Sequence, residues 1–184
     1  EDIRKWALDN DVADSAPEKL EDALAEADLT VLCLPIPKII QYLKDYAYIW
    51  RPGAIVTDIG SVKGTIESAA CGLKQLGVEF VGSHPMAGTE KSGPESAFAT
   101  MYENAEVFIV PPENADSRAV AEVEKMWRSI GTRTVRIGVT EHDHLVAHTS
   151  HVLHILASAL ALSILDETDD MTRQRRFSGC ATGF

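Results

Sequence analysis

Between Asp28 and Pro35 the chain runs Leu29-Thr30-Val31-Leu32-Cys33-Leu34 without a charge. A run that short and that apolar suits a strand buried on both faces, as in a parallel sheet. The rest of the first three quarters repeats the theme. Ala54 to Asp58, Glu79 to Gly82, Glu106 to Val110 and Thr132 to Ile137 read as further strands. Helical segments lie between or before them: Glu1 to Asn10, Pro17 to Ala27, Pro37 to about Ile49, Val62 to Leu76, and Ser117 to Ile130. Ser61 is placed to cap the fourth of these, and Gly77 to end it. Strands separated by helices of this length imply βαβ units, and so an α/β fold with a doubly wound parallel sheet.

The pattern changes at Thr140. Thr140 with Asp143 resembles a capping box, and a helix can run from there through Leu165. Val152 to Leu165 is apolar nearly all round, which predicts burial in a helical domain or a subunit interface. The expected division is an α/β part over 1–139 and a helical part over 140–184.

Charge and cysteine usage narrow the partners. The net charge is −11, from 17 basic and 28 acidic residues. Such a surface repels phosphate backbones, so nucleic acid is not expected as a partner. An anionic ligand would need local positive charge, for which Lys63 and Lys91 are candidates. Cys33, Cys71 and Cys180 are widely spaced and form no CxxC pair; they are expected to be reduced and packed, in a cytoplasmic protein. No apolar run approaches the roughly 18 to 20 residues of a bilayer span. The longest, Val152 to Leu165, is short and carries His154, and no signal-peptide pattern opens the chain. No membrane association is therefore expected.

Three stretches carry chemistry. Ser83-His84-Pro85-Met86-Ala87-Gly88-Thr89-Glu90-Lys91-Ser92-Gly93 gathers a histidine, hydroxyls, a carboxylate and an ammonium. Pro85, Gly88 and Gly93 should break regular structure, giving a polar loop at a strand end, where open α/β sheets bind ligands; the alternative is a solvated connector. Asp58-Ile59-Gly60-Ser61-Val62-Lys63 joins a strand to a helix, and its amides could attract a negative group, or Ser61 could simply cap. Five of the six histidines lie between His142 and His154. His144, His148 and His151 share one helical face, with His154 roughly 60° round from His151. These could ligate a metal, line an anion pocket, or be partly buried or capping. There is no HExxH, and no Cys, Asp or Glu joins that face at ligand spacing, so a metal is not expected. The twelve glycines never take the GxGxxG spacing of a dinucleotide fingerprint.

Taken together, Thr57-Asp58-Ile59-Gly60-Ser61-Val62-Lys63, the block Gly82 to Gly93 and Ser150-His151-Val152-Leu153-His154 resemble the prephenate and arogenate dehydrogenases of tyrosine biosynthesis. The resemblance covers essentially the whole chain. It implies a Rossmann-like domain joined to an all-helical dimerisation domain, NAD or NADP as cofactor, and a homodimer. It implies oxidative decarboxylation of prephenate to 4-hydroxyphenylpyruvate, with arogenate oxidation to tyrosine, or a non-catalytic binding module, as alternatives. His84 would be the proton acceptor, and Ser61 would hydrogen-bond near the nicotinamide and the reacting hydroxyl. Leu34, Pro35, Asp58, Gly60 and Ser61 would bind cofactor. Thr89, Glu90 and Lys91 would shape the substrate entrance. His151 and His154 would face the substrate from the helical domain, and a histidine at position 154 favours prephenate. The chain begins after the place of the family's first βαβ unit, with its Gly-rich loop, and stops before its substrate-binding arginine. The resemblance thus implies a piece of the enzyme, with NAD versus NADP undecided.

Overall fold

The computed structural model describes residues 2–88, 93 and 96–165. They divide into two compact units, one ending at Asp143 and one beginning at His144.

The first unit opens with helices α1 (Asp2–Asp9) and α2 (Leu20–Glu26). The apolar run then becomes strand β1 (Leu29–Leu32), followed by α3 (Ile36–Asp45), with Pro37 in its first turn where the missing N–H costs nothing. β2 (Ile55–Asp58) pairs parallel to β1, Leu29 opposite Ile55 through Leu32 opposite Asp58. β3 (Glu79–Phe80) extends the parallel set on the other side of β2. Ile39, Leu43, Trp50, Val56, Ile66, Leu73 and Phe80 form the core of this half. Each fully buried large side chain contributes roughly 1.5–3 kcal/mol of transfer free energy.

The sheet is not parallel throughout. The Val81 amide still donates to the Val56 carbonyl at 3.0 Å, continuing the ladder on β2. From Gly82 the chain pairs elsewhere. β4 (Gly82–Pro85) runs antiparallel to β5 (Glu106–Val110), and β5 is parallel to β6 (Arg133–Arg136). One continuous stretch thus serves two sheets, and Gly82 sits at the changeover. A Cβ there would lie 3.0 Å from the Val110 carbonyl oxygen and 3.3 Å from Lys63 Cδ. α5 (Ser117–Ser129) covers this second half. Asp116 caps it, accepting from the Arg118 amide at 2.7 Å, and Val120, Val123 and Trp127 pack on Val81, Val107 and Ile109. Ile130, expected on that face, lies beyond the helix end and is exposed.

Other expectations change as well. The helix expected over 62–76 is α4 (Gly64–Ala70) and a 3₁₀ turn, Leu73–Leu76. Gly77 ends that turn in the left-handed conformation, φ 76°. Cys33 and Cys71 are exposed free thiols rather than packed ones, because each lies just past the end of its element.

The described residues of the second unit, 144–165, are helical. α6 (Val139–Val146) begins in the first unit and leads through a π turn, Ala147–His151, into α7 (Val152–Leu165). Val152, Leu153, Ile155, Leu156, Leu160 and Leu162 are exposed in the single chain. Val139–Leu162 is 24 helical residues with mean hydropathy 1.5 over its most apolar window. By length and composition alone that could cross a bilayer, which the sequence reading excluded by counting only from Val152. The added turns carry Glu141 and Asp143 near their start, and from His144 to His151 they hold no Asp, Glu, Lys or Arg.

Candidate functional site

His84 stands on a strand, not in a loop. β4 is the edge strand of its sheet, so Pro85 removes no ladder bond there. Ser83 and His84 therefore point to opposite faces, by the two-residue period of a strand.

Ser83 points inward and is fully buried. Its hydroxyl donates to the Asp58 carbonyl at 2.6 Å, accepts from Trp127 Nε1 at 3.0 Å and lies 2.8 Å from Thr57 Oγ1. A hydroxyl has one proton and two acceptor positions. With its proton given to Asp58, the Ser83 oxygen must accept from Thr57. The hydroxyl is thereby saturated, and it ties β2, β4 and α5 together immediately before His84.

Beside it lies a buried ion pair. Lys63 Nζ donates to Asp58 Oδ2 and, at 2.8 Å, to the Ser83 carbonyl. The side chains are 2% and 0% exposed. Burial pushes the Asp58 carboxyl up and the Lys63 ammonium down, and their attraction and hydrogen bond pull each back. Lys63 is thus committed to Asp58 and is not the surface cation expected for an anionic ligand. Asp58 Oδ2 also accepts from the Gly60 amide at 2.8 Å. A Cβ on Gly60 would sit 2.6 Å from Ile66 Cδ1 and 2.9 Å from that same oxygen, so any side chain there would force its neighbours to shift.

His84 faces the other way, half-buried, towards α6. Its Nδ1 is 3.0 Å from His142 Nε2, and His142 Nδ1 is 2.8 Å from Asp143 Oδ1. His142 is fully buried, edge-on to the rings of both His84 and Phe108. Burial lowers its pKa, opposed by the Asp143 carboxylate. Asp143 also accepts from the Lys63 amide at 2.8 Å and the Gly64 amide at 2.9 Å. Burial works against its charge, but these amides and the imidazole outweigh that and hold it below the usual carboxylate range. Asp143 therefore caps α4; Ser61, expected in that role, lies two residues before the N-cap position, Lys63. Nor does Asp143 complete a capping box with Thr140, which lies inside α6.

His142 and Asp143 are the residues that sequence reasoning missed. The histidine face was counted from His144. His142 lies about 200° round from it at 100° per residue, on the side turned into the first unit. The available signal was a His-Asp pair in the first turns of a helix, which is weak.

The other expected residues fall as follows. Leu34, half-buried, and Pro35, exposed, follow the end of β1; Asp58, Gly60 and half-buried Ser61 follow along the neighbouring end of β2. Both parallel strands end on this side, where a dinucleotide binds in folds of this type. The tight Gly60 turn and the neutralised Asp58 carboxylate suit an anionic cofactor, though these residues supply no Gly-rich phosphate cradle. Thr89, Glu90 and Lys91 lie outside the described residues, as does the side chain of His151. His154 is exposed on α7 in the second unit. His148 Nδ1 donates to the His144 carbonyl at 2.8 Å within the helix. Among the described residues, no three His, Cys, Asp or Glu side chains gather as a metal site.

A family profile described as prephenate dehydrogenase, nucleotide-binding domain, matches residues 2–136. The chain belongs to the prephenate dehydrogenase family. Among relatives of that family, it is 32% identical over 159 residues to cyclohexadienyl dehydrogenase of Zymomonas mobilis, covering 86% of this chain and 54% of that one. It resembles the crystal structure of Aquifex aeolicus prephenate dehydrogenase in complex with hydroxyphenyl propionate and NAD+, with a TM-score of 0.83 and 29% identity over 98% of this chain and 62% of that one. Synechocystis arogenate dehydrogenase gives a TM-score of 0.82 and 29% identity, over 100% and 65%. These family members carry the Rossmann-like fold expected here. The chain spans about half the length of the curated relatives it matches.

Proposed function

We propose that the whole protein oxidatively decarboxylates prephenate to 4-hydroxyphenylpyruvate in tyrosine biosynthesis, using a nicotinamide cofactor. The observation that carries this reading is His84, half-buried and tied through His142 to Asp143, in a chain of the prephenate dehydrogenase family. A neutral imidazole near pKa 6.5 can take a proton at physiological pH. His84 accepts the proton of the ring hydroxyl while hydride leaves the same carbon. The carbon–carboxylate bond then breaks, CO₂ departs, and its electron pair aromatises the ring. Bound nicotinamide supplies the hydride acceptor, and Leu34, Pro35, Asp58, Gly60 and Ser61 would hold that end of it. By the family resemblance Ser61 would orient the reacting hydroxyl, and Thr89, Glu90, Lys91, His151 and His154 would be the substrate-binding residues. NAD is preferred, since the Aquifex aeolicus relative is described with NAD+, and NADP is the alternative.

Arogenate is the second substrate reading, favoured by the equal likeness to the Synechocystis arogenate dehydrogenase. In this proposal residues 1–139 form the nucleotide-binding domain and 140–184 begin a helical dimerisation and substrate domain. The exposed apolar side chains of α7 support a homodimer formed there. The protein works in the cytoplasm without nucleic acid or membrane.

The test is full-length protein with prephenate against arogenate and NAD+ against NADP+, following reduced nicotinamide. Turnover with prephenate is expected, and His84→Asn should lower kcat by on the order of 10²-fold or more. Unchanged turnover in that variant removes His84 as the base.

A further inference from the structure

We propose that His142 and Asp143 are positioning residues that lock His84 in the tautomer protonated at Nδ1, so that its Nε2 carries the lone pair. The direction of each bond follows from the proton count. Asp143 receives three donors, the Lys63 and Gly64 amides and His142 Nδ1. Its two oxygens accept all three, as an ionised carboxylate does. Facing that acceptor at 2.8 Å, His142 must carry its proton on Nδ1. A neutral imidazole has only one N–H, so His142 Nε2 is an acceptor. Full burial keeps His142 in that neutral form. His84 Nδ1, 3.0 Å away, can then only donate. The chain of donors runs from His84 to His142 to Asp143, so a neutral His84 carries its lone pair on Nε2.

Asp143 does two things at once. Its amide bonds hold the start of α4, two residues beyond Ser61, and its bond to His142 orients His84. The Ser61 turn and the His84 ring therefore share one anchor. A free imidazole in water populates both tautomers, so the lock removes an unproductive form before substrate arrives.

The meaning of the lock for catalysis rests on the function proposed above, but its existence does not. The test is ¹⁵N NMR of the histidine rings in full-length protein, in wild type, His142→Leu and His142→Gln. In wild type His84 should be protonated at Nδ1 and bare at Nε2. Leu removes the acceptor, and the ring should redistribute between tautomers; the Gln carbonyl restores an acceptor and the Nδ1–H form. In turnover, His142→Leu should lower kcat by on the order of 10²-fold, the scale of losing a correctly protonated base, with KM for prephenate nearly unchanged and partial rescue by Gln. A His84 protonated at Nε2 in wild type overturns the proposal whether or not the protein is active, and so does an Nδ1–H form that persists in His142→Leu. The wild-type spectrum decides even if the variants fail to fold. The expected tautomer in a protein that does not turn over prephenate sinks the function and leaves the lock standing.

Discussion

Lys63 Nζ reaches the main-chain oxygen of Ser83 at 2.8 Å, holding the start of α4 against the strand that presents His84. The same ammonium neutralises the fully buried Asp58. Removing one partner of a buried pair leaves an uncompensated charge, which costs about 3–5 kcal/mol. Lys63→Met should lower the unfolding free energy by that amount in urea titration. Lys63→Met with Asp58→Asn should recover a substantial part, because no unpaired charge remains. Equal losses in the single and double variants would show that the pair's charge is not what matters.

Stability should fall on mild acidification through His142. Its folded pKa is lowered, chiefly by burial, whereas in the unfolded chain it titrates near 6.5. Between those two values the unfolded state binds more protons, so stability rises with pH and is lost as pH drops below about 6.5. The urea midpoint followed from pH 8 down to 5 should show this slope, and His142→Gln should flatten it. A slope unchanged in that variant would assign it to other groups.

Gly60→Ala is expected to be destabilising by roughly 1–3 kcal/mol, the usual cost of overpacking. The new methyl meets Ile66 at 2.6 Å and the Asp58 carboxylate at 2.9 Å. In thermal denaturation the midpoint should drop by several degrees. An unchanged midpoint would mean that the turn has room the geometry denies.

Trp127→Phe removes the indole donor to Ser83 while keeping most of the buried area. Leaving that acceptor position unfilled in the interior costs about 1–3 kcal/mol. Trp127→Phe combined with Ser83→Ala should cost less than the sum of the two single changes, since both delete the same bond. Strict additivity would argue against the coupling.

The positions of β1, β2, β5 and α5 were legible in local sequence because each is a contiguous apolar or amphipathic run closed by Asp, Pro or Gly. The parallel reading failed at β4 because nothing local distinguishes a strand that continues beside β2 from one that turns to meet β5. Pro85 suggested a break, yet an edge strand accepts it. Ser61 looked like a cap by type and position, but a carboxylate from α6 outcompetes it. His142 was hidden by period: it lies on the buried side of the helix, opposite the exposed His144 and His148.

Sequence alone determined the alternation of elements and the histidine-bearing block that marks the family. These depend on residues adjacent in the chain, whose propensities act without a partner. Only the tertiary structure decided that Asp143 holds both α4 and His142, that Lys63 is spent on Asp58 and Ser83, and that His84 meets His142 across 58 residues. Such bonds join groups whose separation in sequence carries no signal; they exist because burial makes each polar atom find whichever partner the packed elements bring near.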